Sequence, residues 1–395
     1  MRYFTSGAGF ASSCLFALAA AAVPAAAQEE TGDRTINTEH YEVTVQRVVD
    51  GIEHPWGMAF LPDGRFLVTE RNAGRLRIGS PHGSLSPPLA GVPEIFRYEG
   101  DTPRSQAGLF DVALHPDFEN NDLVYLSLSI PSERGTGTGI VRGRLVAGNE
   151  GPGLADVETV FEMKEADQDS SGLHFGGRML FLPDGTLLLT IGERRNISRA
   201  QDSEDQAGSI VRIQADGGVP QDNPFIGEPA VDERIFSTGH RNPQGIALHP
   251  QTGDIWINDH GPKGGDELNR VEAGNNYGWP FLTGGVDYSG APIGVGLERE
   301  GMESPFHVFE GTVAPSGLAV YDGDEFSAWR GDLLNGGMQT QGIVRVRVQG
   351  DQVVEEERID IERRIRDVKV AADGAIWLLT EHENGEVLRL TVTQR

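Results

Sequence analysis

The chain has 395 residues, which is enough for one large domain or two of ordinary size. Aspartate and glutamate total 59 against 33 lysines and arginines, so the formal net charge is -26. Proteins that bind DNA or RNA present a basic surface that displaces counterions, and this acidic composition therefore argues against a nucleic-acid partner.

Residues 1–27 have the pattern of a secretory signal peptide. Arg2 gives a positive start, an apolar alanine-rich run follows from Phe10 to Val23, and Ala25–Ala27 form a small-residue cleavage site. Cys14, the only cysteine, lies inside this segment, so the mature chain is predicted to contain no disulfide. No later segment approaches about 18 consecutive apolar residues. The sequence therefore predicts an exported protein, periplasmic or secreted, that does not span the membrane.

One pattern recurs along the rest of the chain: a short apolar strand, a turn rich in proline, aspartate and glycine, and a second strand. The first copy reads WGMAFLPDGRFLVTER, and its Asp-Gly pair is typical of a hairpin turn because glycine tolerates positive φ. The copies begin at Trp56, Gly108, Gly177, Gly245, Gly317 and Arg366.

Repeated hairpins must stack to bury their apolar faces. Six copies, beginning roughly 50 to 70 residues apart, predict an all-β fold, a six-bladed β-propeller that forms a single domain over residues 28–395. A large β-sandwich is the alternative. Ligands of propellers bind over the central channel, where loops of several blades converge. The predicted loops at this end are residues 94–106, 165–173, 193–206 and 261–277.

His174 lies in the stretch LHFGGR, just before the first strand of the third copy. Imidazole has a pKa near 6.5 and is the natural proton acceptor at neutral pH. The two glycines beside it permit close approach of a ligand. A structural role for this histidine is the alternative.

Arg241 and Asn242 lie in the stretch GHRNPQGIALHP, at the start of the fourth copy. A guanidinium beside an amide, fixed by the following proline, forms a donor pair suited to an oxygen that gains negative charge during a reaction. A salt bridge between blades explains the arginine equally well.

Residues 259–269 read DHGPKGGDELN. Glycines beside acids provide exposed carbonyl and carboxylate oxygens, the ligands that calcium prefers. A solvated acidic loop is the alternative.

Arg364 and Arg366 are predicted to lie on the same face of a strand because side chains alternate along it. Two neighbouring guanidiniums repel each other unless they meet anions, and they could hold ligand carboxylates. Pairing with Glu355–Glu357 is the alternative. The sequence lacks the motifs of nicotinamide-binding folds, P-loops, zinc proteases and α/β-hydrolases.

Together these segments resemble the soluble quinoprotein glucose dehydrogenase family, and most of all its aldose sugar dehydrogenase branch. The resemblance runs from about Gly51 to Leu390 and is carried by QAGLFDVALHPDF, LHFGGRMLFLPDGTLLLTIGE, STGHRNPQGIALHP, HGPKGGDELNRVEAGNNYGWP, TVAPSGLAVY and RIRDV. It implies a six-bladed propeller that binds pyrroloquinoline quinone (PQQ) and calcium and oxidises aldoses at C1 to lactones. An external electron acceptor is expected, because the chain has no haem-attachment motif.

The resemblance also implies roles for single residues. His174 matches the general base, and Arg241, with Asn242 beside it, matches the arginine that polarises the reacting quinone carbonyl. Gln106 matches a glutamine that contacts cofactor and substrate. The arginines that grip the cofactor's carboxylates correspond to Arg364 and Arg366.

Calcium ligands are implied in the same way. Gly261 and Pro262 match the pair whose backbone carbonyls bind the calcium held with PQQ. Glu267 and the carbonyl of Tyr277 match ligands of a separate structural calcium, with Asp287 as a further candidate.

Three positions depart from the glucose dehydrogenases proper. Leu173 replaces an aspartate before the base, as in the aldose branch. Glu310 and Gly311 stand where that family has a tryptophan, and Gln339 stands where it has a cofactor-binding lysine. These changes leave two other functions open: a propeller that binds glycan or protein without catalysis, and a calcium-dependent lactonase.

Overall fold

The computed structural model describes residues 33–97, 105–148 and 151–393. The predicted signal peptide lies outside these ranges. Two strands come first, β1 (Arg34–Asn37) and β2 (Glu42–Ile52). The first three blades then follow in chain order. They contain β3 (Pro55–Phe60), β4 (Phe66–Glu70) and β5 (Arg75–Gly79); β6 (Leu109–Leu114), β7 (Leu123–Ser132), β8 (Gly135–Gly148) and β9 (Gly151–Glu162); and β10 (Met179–Phe181), β11 (Leu187–Ile191), β12 (Ser209–Ile213) and β13 (Ile235–Ser237).

The last three blades have the same antiparallel order. They contain β14 (Pro243–Leu248), β15 (Ile255–Asp259), β16 (Glu267–Val271) and β17 (His307–Val308); β18 (Pro315–Val320), β19 (Leu333–Gly337), β20 (Gly342–Gln349) and β21 (Gln352–Asp360); and β22 (Ile365–Val370), β23 (Ile376–Thr380) and β24 (Gly385–Val392). The first strand of each blade contacts the first strands of its neighbours, so six strands surround a central axis.

Helix is scarce in the described ranges. There is one helix of four residues, α1 (Phe118–Asn121), and there are three 3-10 turns, Glu165–Asp167, Arg199–Gln201 and Ser327–Trp329. Among these residues, no helix has the length and hydropathy needed to cross a bilayer.

Apolar clusters between neighbouring blades hold the ring together. Between the third and fourth blades, for example, Leu188 and Ile210 pack against Ile246 and Ile257. A comparable cluster fills each of the other five blade-to-blade interfaces. A twisted hairpin sheet has two apolar faces, and stacking in a ring covers both. The six-bladed propeller predicted from the repeats is confirmed.

The ring closes through the ends of the chain. β2 pairs with β24, with Val43 opposite Val392 and Arg47 opposite Leu388. The sixth blade is thus built from both ends of the chain, and β1 extends it outward.

One buried arginine crosses the channel. The Nη1 atom of Arg178 lies 3.4 Å from Asp111 and 3.1 Å from Asp367. Its Nε and Nη2 atoms donate to the carbonyls of Gln244 and Arg366, each at 2.7 Å. Arg178 therefore links the second, third, fourth and sixth blades beneath the end that carries the predicted loops.

One predicted loop is partly wrong. Residues 261–277 contain β16, which pairs with β15. Glu267 lies opposite Asp259 at one end of the pair, and Val271 lies opposite Ile255 at the other. The strand is hidden in the sequence because Glu267 and Asn269 occupy buried positions that apolar residues usually fill.

Candidate functional site

Two cavities meet at the end of the propeller where the predicted loops converge. The axial cavity receives residues from all six blades: Trp56, Arg71, Gln106, Phe110, Phe175, Gly176, Asn242, Gln244, His260, Met338 and Arg366. The outer cleft, of about 170 Å³, lies between the third and fourth blades and is lined by Glu193, Arg195, Ile197, Arg241, Pro262, Trp279, Asp287, Tyr288 and Ile293. Consecutive residues, Arg241 and Asn242, line the two cavities, which are therefore neighbours.

His174 is buried and is held by two hydrogen bonds, one to its backbone and one to its ring. Its backbone has φ of 51°, in the left-handed region, and its N–H donates to Oε1 of Gln106 at 2.8 Å. Its Nδ1 atom is in hydrogen-bond contact with Glu193 Oε2. A strained backbone of this kind, with its N–H bonded to a side chain, is typical of a residue whose side chain must be held in one direction.

The surroundings keep this imidazole neutral. Burial lowers the pKa of His174, the Glu193 carboxylate partly opposes this effect, and the nearby Arg241 and Arg195 guanidiniums favour the neutral form. With Nδ1–H donating to Glu193, the lone pair of the neutral ring is on Nε2, which has no hydrogen-bond partner among the described residues. The site thus contains a buried proton acceptor with a fixed orientation.

Arg241 and Asn242 are fixed through their backbones. Asp259 accepts hydrogen bonds from both N–H groups, at 2.8 and 2.6 Å. The side chain of Asn242 accepts one from Gly176 N–H at 3.1 Å. Burial raises the pKa of Asp259 to about 7.

The guanidinium of Arg241 donates to the carbonyl of His260 at 3.1 Å and lies over the ring of Trp279 at 5.4 Å. Within the described residues it forms no ion pair with a carboxylate, so the alternative of a salt bridge between blades is not found. Its charge is directed to the boundary between the two cavities.

Arg364 and Arg366 differ from each other. The buried Arg366 donates to Glu381 at 2.6 Å and to Gln244 Oε1 at 3.2 Å. The exposed Arg364 donates to the carbonyl of Met338 at 3.3 Å and has no carboxylate partner in the described part of the chain. Of these two arginines, only Arg364 thus has a positive charge that no protein carboxylate neutralises.

The predicted alternation fails here for a structural reason. Arg364 precedes β22, and the register of that strand shifts between Ile365 and Asp367. The alternative partners, Glu355–Glu357, are occupied by other basic residues: Arg345, Arg347, Arg358 and His307.

Gly261 and Pro262 form the start of a buried turn at the outer cleft. The N–H of Gly261 donates to Asp266 Oδ1 at 2.9 Å. Neither of the two carbonyl oxygens accepts a hydrogen bond within the described residues. Both oxygens are therefore available to a cation.

Glu267 and Tyr277 lie in the interior of the fourth blade. The carboxylate of Glu267 accepts one long bond, 3.4 Å, from Asn269, and it has no cationic partner among the described residues. Burial raises the pKa of Glu267 well above its ordinary value, and Asp259 and Asp266 add to the effect. A buried carboxylate without a counter-charge suits a bound cation. Asp287 is elsewhere, on the outer cleft with Pro262.

The acids that fix His174, Arg241 and Asn242 in place were not predicted from the sequence. Glu70 and Asp259 are the last residues of β4 and β15, Glu381 directly follows β23, and Glu193 lies two residues after β11. All four are buried. Glu381 is paired with Arg366 and Arg71. An acid within two residues of the end of the second hairpin strand in four copies is the signal that could have pointed to them.

These observations agree with a comparison to known proteins, in which residues 52–389 match the Glucose / Sorbosone dehydrogenase family. The chain belongs to this family. Membership confirms the predicted resemblance and the prediction of an oxidoreductase.

Two related proteins and two solved structures are similar to this chain. The aldose sugar dehydrogenase YliI of Escherichia coli is 38% identical over 88% of this chain and 93% of that protein. The structure of the soluble aldose sugar dehydrogenase from E. coli in the apo form has a TM-score of 0.82, with 37% identity over 89% of this chain and 100% of that one. The PQQ-bound aldose sugar dehydrogenase of Streptomyces coelicolor has a TM-score of 0.71, with 26% identity over 89% and 98%. Quinoprotein glucose dehydrogenase B of Acinetobacter calcoaceticus is 31% identical over 62% of this chain and 53% of that protein.

Two of the positions at which this chain departs from the glucose dehydrogenases proper are at the surface. Gln339 and Glu310 are both exposed. Met338, beside Gln339, is buried and lines the axial cavity, and its sulfur lies 3.7 Å from Nη2 of Arg364. A thioether and an arginine thus occupy the region where a lysine was expected.

Proposed function

We propose that the protein is a PQQ-dependent aldose dehydrogenase that oxidises C1 of the sugar to the lactone. The observation that carries the proposal is the juxtaposition of a neutral, buried imidazole with a free Nε2 and a guanidinium without an anionic partner among the described residues, between the axial cavity and the outer cleft. This pair can accept a proton and stabilise a developing negative charge in the same place.

The residues present fit PQQ. The cofactor has three carboxylates and a quinone. Arg241 lines the outer cleft and Arg364 lies against Met338 of the axial cavity, and neither charge is matched by a protein acid among the described residues. The amides of Gln106 and Asn242 line the axial cavity. Arg366 would contribute a hydrogen-bond donor more than a net charge, because Glu381 neutralises it. When bound, PQQ supplies the acceptor for the hydride. The PQQ-bound Streptomyces relative and the Acinetobacter quinoprotein support this assignment.

Calcium also fits the available oxygens. The carbonyls of Gly261 and Pro262 would hold an ion beside the cofactor. Glu267 and the carbonyl of Tyr277 would hold a second, structural ion. Asp287 as a ligand of that second ion stays a prediction, since it lies on the outer cleft.

The chain's own residues then divide the proton and charge chemistry. Nε2 of His174 takes the proton of the C1 hydroxyl while the C1–H bond breaks with its electron pair. Glu193 fixes the tautomer and direction of the ring. Arg241 stabilises negative charge that leaves the sugar. The two electrons then pass to an external acceptor.

Reconstitution tests the proposal. Purified protein loaded with PQQ and calcium is expected to reduce an artificial dye when glucose or another aldose is added, and to form the lactone in equal amount. Omission of PQQ should abolish the reaction. A protein that binds PQQ but oxidises no aldose would contradict the proposal, and a protein that binds no PQQ would indicate one of the non-quinoprotein functions.

Export is part of the same proposal. We expect the mature chain to begin at Gln28 and to be recovered from the periplasm or the medium. Amino-terminal sequencing of the protein from its own host checks the cleavage site.

Arg364→Ala is expected to weaken PQQ binding by about tenfold or more, because a charge-assisted hydrogen bond contributes about 1.5–3 kcal/mol. Titration of the apoprotein with PQQ in calcium measures the change. Arg363→Ala is the matched control, since that guanidinium already has a carboxylate partner and donates to Glu386 at 2.8 Å. Equal PQQ affinities of the two variants would refute the assignment of Arg364.

The pH profile of kcat/KM is expected to report the titration of His174. Because burial lowers the pKa of this group, the acidic limb should have its midpoint below about 6.5, the ordinary value. Glu193→Gln removes a negative charge that favours the imidazolium, so the midpoint should move to still lower pH while kcat falls. Glu165→Gln, the same change at an exposed position, should leave the profile unchanged. A shift of the limb to higher pH in Glu193→Gln would contradict this mechanism.

A further inference from the structure

Arg194 is a fully buried arginine next to the acid that contacts the reacting imidazole, and no step of the proposed mechanism uses it. The backbone φ is 60° at Arg194 and 61° at Arg195. Two successive non-glycine residues in the left-handed region are strained, and such strain persists only where other contacts compensate for it. Here the compensating contacts come from the buried side chain of Arg194.

The guanidinium of Arg194 contacts the chain on both sides of His174. Its Nη1 atom donates to the carbonyl of Leu173 at 2.7 Å, and its Cζ atom lies 3.7 Å from the centroid of the Phe175 ring. Its Nη2 atom donates to the carbonyl of Thr136 at 3.2 Å. Since Thr136 belongs to β8, one side chain of the third blade fixes residues 173 and 175 to the second blade.

The anchor at Thr136 is itself well supported. Thr136 and Asp169 exchange backbone hydrogen bonds in both directions, at 2.8 and 3.2 Å, and the Thr136 hydroxyl donates to the carbonyl of Ile130 at 2.6 Å. The carboxylate of Asp169 lies 3.6 Å from Nη2 of Arg194 and supplies the counter-charge that a buried guanidinium needs. The contacts of Arg194 are therefore made to a rigid part of the second blade.

His174 depends on this support because its own backbone is strained and closely packed. Its φ is 51°, and a Cβ atom on Gly192 would lie only 2.4 Å from its carbonyl oxygen. Glu193 fixes the rotation of the ring, whereas the contacts of Arg194 fix the backbone from which the ring projects. Two consecutive residues thus divide the orientation of the imidazole between them.

The effect expected of Arg194 is on direction rather than on protonation. Burial lowers the pKa of His174, and the cations that add to this effect are Arg241 and Arg195. The charge of Arg194 is instead opposed by the nearby Asp169 carboxylate.

We propose that Arg194 is a positioning residue for the general base: it holds residues 173–175 so that Nε2 of His174 faces the C1 hydroxyl of the sugar. This inference rests on the proposed function and adds a residue to it. Arg194 acts through its neighbours and touches neither the sugar nor the transferred proton.

Steady-state kinetics with glucose test this role in protein saturated with PQQ and calcium. Arg194→Met should lower kcat by about 10- to 100-fold and leave KM within about twofold, because a displacement of about 1 Å can cost about 10²-fold in rate. Arg194→Lys keeps a buried cation with one donor toward Leu173 and should recover part of the lost kcat.

The same change in a chain without the base separates positioning from general damage. In His174→Ala, Arg194→Met should lower the residual kcat by less than about twofold, since no ring remains to be positioned. An equal loss of kcat in the two backgrounds would overturn the proposal, and so would an Arg194→Met variant with the kcat of the wild type.

Arg142→Met is the matched control. Arg142 donates to the carbonyl of Ala215 at 2.8 Å and so also joins the second and third blades, but its partners are Ala215, Tyr125 and Glu158 rather than residues 173–175. Its kcat should stay within about twofold of the wild type. A loss as large as that of Arg194→Met would show that any weakening of this interface lowers kcat, which would overturn the specific role.

Hydrogen exchange of the apoprotein gives a readout that needs no turnover. Peptides covering residues 172–176 should exchange faster in Arg194→Met than in the wild type, because the His174 N–H that donates to Gln106 loses its fixed geometry. Peptides of the fifth blade should be unchanged. If the wild type oxidises no aldose, the proposed function fails; faster exchange confined to this region would still support the positioning of His174, and unchanged exchange would overturn it.

Discussion

His174→Ala is expected to lower kcat/KM for glucose by about 10²- to 10⁴-fold, the range that a positioned general base contributes. The loss should appear in kcat, because the imidazole contacts the hydroxyl proton that is transferred in the reaction. PQQ affinity should be nearly unchanged, since the carboxylates of the cofactor are assigned to other residues. Dye-reduction kinetics and PQQ titration, carried out on the same preparation, measure the two quantities.

A matched variant separates this effect from general damage. His82 is exposed in a turn of the first blade, and His82→Ala should keep both activity and PQQ affinity. If His174→Ala instead lost PQQ as Arg364→Ala is expected to do, the division between proton acceptor and cofactor-holding residues would be wrong.

Arg178→Met is expected to lower the free energy of unfolding by about 3–5 kcal/mol, because it leaves buried carboxylates without their counter-charge. Asp111 loses its ion pair, Asp367 keeps only the longer contact of 3.5 Å to Lys369, and the carbonyls of Gln244 and Arg366 each lose a donor. Urea denaturation followed by tryptophan fluorescence measures the change.

Arg65→Met provides the surface comparison. Arg65 forms an exposed pair with Asp63, and its loss should cost about 0–1 kcal/mol. A cost below about 1 kcal/mol for Arg178→Met as well would show that the buried aspartates find other partners or take up protons.

The repeated hairpin made the propeller predictable, because its apolar strands and Asp-Gly turns are local features. Gly185 shows this: its φ of 84° at the turn after Asp184 requires a glycine, and the sequence places one there. His174, Arg241 and Asn242 could be named as candidates from the sequence for a related reason, since each lies just before the first strand of a repeated hairpin.

What the sequence left undetermined depends on contacts between distant segments. Alternation suggested equal roles for Arg364 and Arg366, but a strand irregularity separates them and Glu381, 15 residues further along, neutralises one. Glu193 and Asp259 looked like ordinary acids at strand ends. Their roles follow only from the positions of His174 and Arg241 in three dimensions.

The pairing of β2 with β24 has a consequence for how the molecule is made. Arg47 and Glu386, which meet in this sheet, are 339 residues apart in the chain. Contacts between such distant residues form slowly, because a long loop must close before they add stability. During synthesis β2 has no partner on this edge until β24 has been translated. A nascent or truncated chain that lacks β24 therefore exposes unpaired strand edges on either side of the gap, where other chains can add. Translation of β24 therefore decides whether the five earlier blades become a closed ring or an aggregation-prone arc.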